Sequence, residues 1–225
     1  RDFCKNKHLL PGGFFEENKI GKLQGIYVPF WLFTCHIDGE ATFNATRVRH
    51  YREGQYDCTE TLHFLLEREG ELIFNKVPVD ASVRMDNDLM DSIEPFDYSQ
   101  LIEFDKGYLS GFLAERFDTD PDTEMNRASS RMHNTSTAAL RRTTIGYTTV
   151  TRRTSNIHVD RASVKYVLLP VYLLNCTYRN KNYRYAINGQ TGKVVGELPI
   201  SMKKRLAYLF GVGGGVAAAV FALMQ

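Results

Sequence analysis

Two stretches set the reading of this chain: Pro29-Phe30-Trp31-Leu32-Phe33-Thr34-Cys35 and Pro170-Val171-Tyr172-Leu173-Leu174-Asn175-Cys176. Each opens on proline, runs through apolar and aromatic side chains, and closes on cysteine. Such runs suit a buried strand. The alignment continues past the cysteines. Asp38-Gly39 falls on Arg179-Asn180, both turn-forming pairs, and Ala45 falls on Ala186. Strand, turn and strand, met twice, predict a duplicated antiparallel β unit over about 26–52 and 167–196.

Working outward, Arg52-Glu53-Gly54-Gln55 and Glu69-Gly70-Glu71 read as turns, so the segment up to Val79 is expected to be a meander of short strands. Helices are expected as an insert over about 86–142. Leu101, Phe104, Tyr108, Phe112 and Phe117 recur near a 3.6 period, and Asp97 with Gln100 suits a capping box. Asp120-Pro121-Asp122 is a helix start: an N-cap, a proline at the first helical position, and an acid at the positive end of the dipole. That helix runs toward Arg142 with Met125, Ser129, Met132, Ser136, Ala139 and Leu140 along one side. Ile145 to His158 is β-prone, Pro170 inside an apolar run implies an edge or a bulge, and Asn188-Gly189 marks another hairpin.

The 225 residues carry a net charge of +2 and only four cysteines. That excludes a disulfide scaffold and gives no global signature of a nucleic-acid binder. Leu206 to Met224 is free of charge and follows Lys203, Lys204 and Arg205. A helix of that length spans roughly 28 Å, and a basic flank favours the cytoplasmic side. Gly211, Gly215 and Ala219 share one face of it, which predicts helix–helix packing and a homo-oligomer or another membrane partner. The expected fold class is therefore α+β: duplicated antiparallel β units with inserted helices, followed by a C-terminal transmembrane helix. The expected divisions are 1–24 as a linker, 25–201 as a soluble domain facing the cytoplasm, and 202–225 as basic flank and membrane anchor.

Chemistry is sparse. Cys4, Cys35, Cys58 and Cys176 form no C-x-x-C pair, and Cys35 and Cys176 read as small core side chains. His36-Ile37-Asp38 and His158-Val159-Asp160 place a histidine and an acid on one face of a strand. Gly189-Gln190-Thr191-Gly192-Lys193 lacks the flanking residues of a phosphate loop and reads as a hairpin turn. No G-x-S-x-G is present. No catalytic, cofactor-binding or metal-binding residue is assigned. Charge is segregated: Asp80 to Glu124 holds 13 acids and 3 bases, whereas Asn126 to Lys165 holds 8 bases and 1 acid. Adjacent blocks of opposite sign pack together or solvate their own faces. Arg127, Arg131, Arg141, Arg142, Arg152 and Arg153, spaced by serine and threonine, are candidates for an anionic surface, either phosphates or lipid headgroups. Tyr147 alone offers an aromatic platform there, which disfavours single-strand binding.

Four stretches together resemble bacterial TFIIB-type zinc-ribbon membrane proteins, which often carry primosomal or helicase-like labels. They are Gly25-Ile26-Tyr27-Val28-Pro29-Phe30-Trp31-Leu32-Phe33, Glu94-Pro95-Phe96-Asp97-Tyr98, Tyr108-Leu109-Ser110-Gly111-Phe112-Leu113-Ala114, and Ala186 to Gly196. The resemblance runs from about Lys19 to the apolar C-terminal run. It implies an N-terminal zinc ribbon, a soluble domain and a membrane helix, with this chain starting after the ribbon. Zinc is expected only in that ribbon, and no cofactor in this chain. The implied function is a non-enzymatic, membrane-anchored cytoplasmic adaptor or scaffold of envelope or membrane-stress assemblies, with phage-shock-type or stomatin/flotillin-like partners. The alternative is a nucleic-acid-binding module of a replication-related protein that uses the basic block 126–165.

Overall fold

The computed structural model describes residues 9–11, 14, 19–21 and 23–211. The chain divides into two compact units, and each is described by itself. One comprises Pro29–Arg84 and Arg116–Leu168; the other gathers the residues up to Val28, Met85–Glu115, and those from Leu169 onward. Strands β2 (Gln24–Glu53) and β5 (Thr149–Tyr178) contribute residues to both.

In the first unit, β2 pairs antiparallel with β3 (Tyr56–Asp80) from Phe30↔Asp80 out to Glu53↔Tyr56. On its other side β2 neighbours β5. Thr42 and Thr154 share a 2.6 Å hydrogen bond, as do Thr46 and Thr149, so β5 descends as β2 climbs. The strict alternation of β2 decides which face is which. Cys35, Ile37, Gly39, Ala41, Phe43 and Ala45 are buried, whereas His36, Asp38, Glu40 and Asn44 are exposed. Such alternation is the mark of a sheet with one covered face.

Two helices enter here: α1 (Asn87–Ser92), which belongs to the second unit, and α2 (Pro121–Arg142), which covers the buried face of the first. The start of α2 is as expected: the Asp120 side chain accepts hydrogen bonds from the Asp122 and Thr123 amides, with Pro121 in the first turn. Ala128, Met132, Ser136, Thr137 and Leu140 form its buried stripe. Met132 packs with Phe33, Cys35, Ile37 and Val79; Leu140 packs with Ala41, Phe43, Ala45 and Leu66.

Two expected turns are absent, and the helix explains why. Gly39 and Gly70 are register partners in the middle of β2 and β3. A Cβ on Gly39 would stand 2.8 Å from Ile157 Cδ1 and 3.6 Å from Leu140 Cδ1, and one on Gly70 would stand 3.8 Å from Leu140 Cδ2. These glycines admit a close neighbour; they do not bend the chain. The meander is instead one long hairpin, closed at Gly54-Gln55 with Gly54 at φ 62. Glycine at the first central position is a favoured two-residue closure.

In the second unit, the last part of β5 pairs with β6 (Lys181–Asn188), and β6 pairs with β7 (Val194–Gly196). Short β1 (Lys19–Ile20) joins β5 at Cys176 and Thr177, and β4 (Leu113–Ala114) runs parallel to β2 at Ile26 and Tyr27. The β5–β6 turn uses Arg179 and Asn180 at φ 49 and 61, the left-handed pair of a tight hairpin. This overturns the duplication, because Arg179-Asn180 turns the chain while Asp38-Gly39 continues straight through a strand. Pro170 stands just before the β5–β6 ladder, where its carbonyl accepts from the Gly189 amide.

The expected α+β class with an inserted helical block is likewise corrected to a mostly antiparallel β fold. Between α1 and α2 the helical elements are 3-10 turns at Tyr98–Gln100 and Lys106–Leu109. The Asp97 carboxylate caps the first of these through the Ser99 amide, but no helix follows. The aromatic residues at helical spacing serve separate clusters. Phe112 stacks with Tyr27 and Tyr172 in this unit, whereas Phe117 packs with Trp31 and Tyr166 in the other.

The C-terminal transmembrane helix, and the membrane anchoring with a cytoplasm-facing domain inferred from it, are also corrected. Among the described residues no helix is long and apolar enough to cross a membrane. The chain is helical over 202–211, and 212–224 of the expected span lie outside the described residues. In the basic flank, the Lys204 ammonium donates to the Leu10 carbonyl, while Lys203 and Arg205 are exposed. Gly211 has no neighbour within 4 Å of its would-be Cβ. Gly215 and Ala219 lie outside the described residues, as does Cys4.

Candidate functional site

The face of the first unit that α2 does not cover carries a dense polar array. It follows from register alone. Asp38 pairs with Glu71, Glu40 with Glu69, and Thr42 with Glu67. From β5, the Asn156 amide donates to Glu40 Oε1 at 3.0 Å. Asp38, Glu40, Glu69, Glu71, Asn156 and His158 line an open groove of about 690 Å3. The two His-x-Asp motifs, 122 residues apart in sequence, thereby meet: His158 shares a groove with Asp38. His158 Nε2 lies 3.1 Å from Asp160 Oδ1, and both side chains are largely exposed.

This groove offers charge and hydrogen bonding, and no serine, threonine or cysteine lines it. The nearby Thr42 and Thr154 hydroxyls are tied to each other. Among the described residues no group of three or more His, Cys, Asp or Glu is placed to hold a metal ion, so the zinc-ribbon family finds no ligand set there. Like charges directly opposite across a ladder are destabilising. The pairs Asp38↔Glu71 and Glu40↔Glu69 therefore weaken the fold locally while presenting a concentrated negative face.

A second feature adjoins it. β3 pairs with β2 on one side, and no described strand lies on the other. Past Thr46, where β5 begins, the hairpin continues as a two-stranded ribbon from Arg47↔Leu62 to Glu53↔Tyr56. Seven pairs at about 3.4 Å per residue make it roughly 24 Å long. Its base is braced: the Arg47 guanidinium lies over Phe64 and Tyr147, and its Nε donates to the Gly146 carbonyl. Leu62 beside this base is exposed, and farther out Tyr51 is exposed and Tyr56 is 77% exposed.

Three arginines of the basic block are engaged within the chain. Arg127 pairs with Asp80 at 2.7 Å, Arg131 donates to the Pro78 carbonyl at 2.7 Å, and Arg141 donates to the Val150 carbonyl at 3.1 Å. Arg142, Arg152 and Arg153 are exposed. The acidic and basic blocks do pack together, through Arg127 with Asp80 and Glu124, and Arg161 with Asp122. Cys35 and Cys176 are buried, as expected, and burial pushes the Cys35 thiol up against the opposing effect of Arg161.

The Gly189–Lys193 stretch is the expected hairpin connection, organised by buried Asn188. Its Oδ1 accepts from the Gln190 and Thr191 amides, and its Nδ2 donates to the Ile93 and Pro95 carbonyls, each at 3.0 Å. Sequence reasoning missed Glu67, Glu69 and Glu71. Their period-2 spacing was a signal, because alternate residues of a strand share a face.

These features define a class: an antiparallel β protein with an open acidic sheet face, an unpaired edge strand and a projecting ribbon. Over 220 residues the chain is 39% identical to YdjG, an uncharacterized protein of Bacillus subtilis (strain 168). The match covers 98% of this chain and 64% of that protein, so the chain spans somewhat less than two thirds of the relative's length. No protein-family model matches the sequence, and no solved structure matches it.

Proposed function

We propose that this chain is a non-enzymatic adaptor module that binds a protein partner through the β2–β3 ribbon and the adjoining edge. The observation that carries the reading is the ribbon itself, which runs seven residue pairs beyond the third strand with aromatic and aliphatic side chains exposed. Two-stranded ribbons are marginal in water, and exposed apolar groups on a long edge invite pairing. A partner that covers them accounts for both. The resemblance to zinc-ribbon adaptors points the same way. Nucleic-acid binding through 126–165 is the weaker reading, since Arg127, Arg131 and Arg141 already donate to acceptors within the chain.

The test is site-specific photo-crosslinking in cells. A crosslinker at Tyr56 gives a discrete protein adduct, and one at exposed Asn134 on α2 does not. Replacing Arg49–Glu60 by an Asn-Gly turn removes the ribbon, leaves the unit folded and abolishes neighbouring adducts made from Leu65. Absence of a Tyr56 adduct, or Leu65 adducts unchanged by ribbon removal, would refute the reading.

A further inference from the structure

The unpaired edge of β3 has a built stop at one end only. Lys76 adopts φ 58, the ladder shifts register between Phe33 and Cys35 opposite, and Pro78 has no amide hydrogen. From Tyr56 to Phe74 the strand is uninterrupted, and no described strand pairs with its outer edge. Along this segment Glu67, Glu69 and Glu71 point to the exposed face. Their register partners Thr42, Glu40 and Asp38 bring no base. On the covered face the same segment presents buried Leu66 and half-buried Leu72, flanking Arg68 and Gly70.

We propose that the edge of β3 between Leu65 and Ile73 accepts an extended basic peptide as an added strand. This rests on the adaptor reading above and names the chemistry of the partner. Strand addition draws affinity from unused backbone donors and acceptors and specificity from alternate side chains. Residues directly opposite on an added strand lie about 5 Å away. Those on the exposed face meet Glu67, Glu69 and Glu71, so they are lysine or arginine. Those between them face Arg68 and Gly70, with Leu66 and Leu72 on either side; a base would repel Arg68, so they are aliphatic. The partner segment therefore alternates basic and aliphatic residues. A second copy of the chain does not fit: two-fold antiparallel pairing centred on Glu69 would set Glu69 against Glu69 and Glu67 against Glu71. Charged residues on an edge also guard against strand addition altogether, and the experiment separates that role from the proposed one.

The probe is a fluorescent Lys-Val-Lys-Val-Lys-Val-Lys peptide titrated against the full chain by anisotropy. Controls carry glutamate for lysine, or proline for two of the valines. The expected result is saturable binding that weakens at least about tenfold in the Glu67→Gln/Glu69→Gln/Glu71→Gln variant, as for loss of complementary charge. The proline peptide, which cannot complete a ladder, weakens at least about as much. The variant keeps or raises its thermal midpoint, because it removes exposed charge and relieves the repulsion across Asp38↔Glu71 and Glu40↔Glu69. Equal binding of the proline peptide, an unchanged triple variant, or no saturation overturns the proposal, the last identifying a guarded edge. A concentration-dependent dimer lost in the same variant overturns it in favour of a second copy. Tyr56 adducts that persist while the peptide fails leave the adaptor reading intact; loss of both removes both.

Discussion

Arg127→Leu separates a structural arginine from a surface one. Arg127 reaches from the first turns of α2 to Asp80 at the end of β3, with Nη2 2.7 Å from Oδ1. The Asp80 side chain is 1% exposed and that of Arg127 is 19% exposed, with Glu124 3.7 Å from the other guanidinium nitrogen. Removing one member of a buried pair leaves the other charge without that counter-ion, at about 3–5 kcal/mol. The solvent contact retained by Arg127 places the cost at the low end, about 3 kcal/mol, or roughly a 150-fold loss in the folding equilibrium at 1.4 kcal/mol per factor of ten. In urea, with a slope of about 3 kcal/mol/M, the midpoint falls by about 1 M at constant slope. Adding Asp80→Asn removes the buried carboxylate charge and recovers about half the loss or more. A cost below about 1 kcal/mol for Arg127→Leu, or a double variant as unstable as the sum of the singles, refutes the reasoning.

Three further outcomes follow from the same geometry. Gly39→Val lowers stability by about 1–3 kcal/mol through overpacking against Ile157 and Leu140, although strand propensity alone predicts a gain; Gly70→Ala, in ordinary contact range, is close to neutral. Thermal unfolding of the two variants decides between packing and propensity. Asn188→Ala strips four hydrogen bonds from a buried turn and costs about 3 kcal/mol, read from urea unfolding; a loss near zero would show that the Gly189–Lys193 connection is not organised by this side chain. The Thr123 backbone amide, then the Thr123 hydroxyl and the Asp122 amide, hold the Asp120 carboxyl below its ordinary range. Its contribution is therefore complete above the ordinary carboxylate value and is lost as pH falls through the lowered one. Asp120→Asn keeps the cap but flattens acid unfolding in that window, whereas Asp120→Ala lowers stability at neutral pH. Identical acid unfolding profiles for the parent chain and its Asp120→Asn variant would remove the assignment.

The local signals were legible because their partners lie a few residues away. Asp120 caps amides two and three positions on. Gly54 and Arg179-Asn180 close hairpins through their own backbone angles. Cys35 and Cys176 sit in apolar runs that any fold would bury. The same locality misled where a partner was distant. Gly39 and Gly70 resemble turn residues until Leu140 is laid across them, and the aromatic spacing from Leu101 to Phe117 matches a helix although its members pack into two units. The apolar C-terminal run met the length criterion for a span, whereas no helix among the described residues is long and apolar enough to cross a membrane.

By itself, the sequence determined alternation, caps and two of the tight turns, each written in side chains that act on their own backbone neighbours. Only the tertiary structure decided which residues form a surface. Register across β2, β3 and β5 brought scattered acids, with Asp38 of one His-x-Asp motif and His158 of the other, into one groove. Packing of α2 on β3 converted Arg127 from a candidate surface charge into the buried partner of Asp80, 47 residues away in sequence. The physical reason is that strand pairing and ion pairing are non-local: their energies depend on distances in space, which spacing along the chain does not encode.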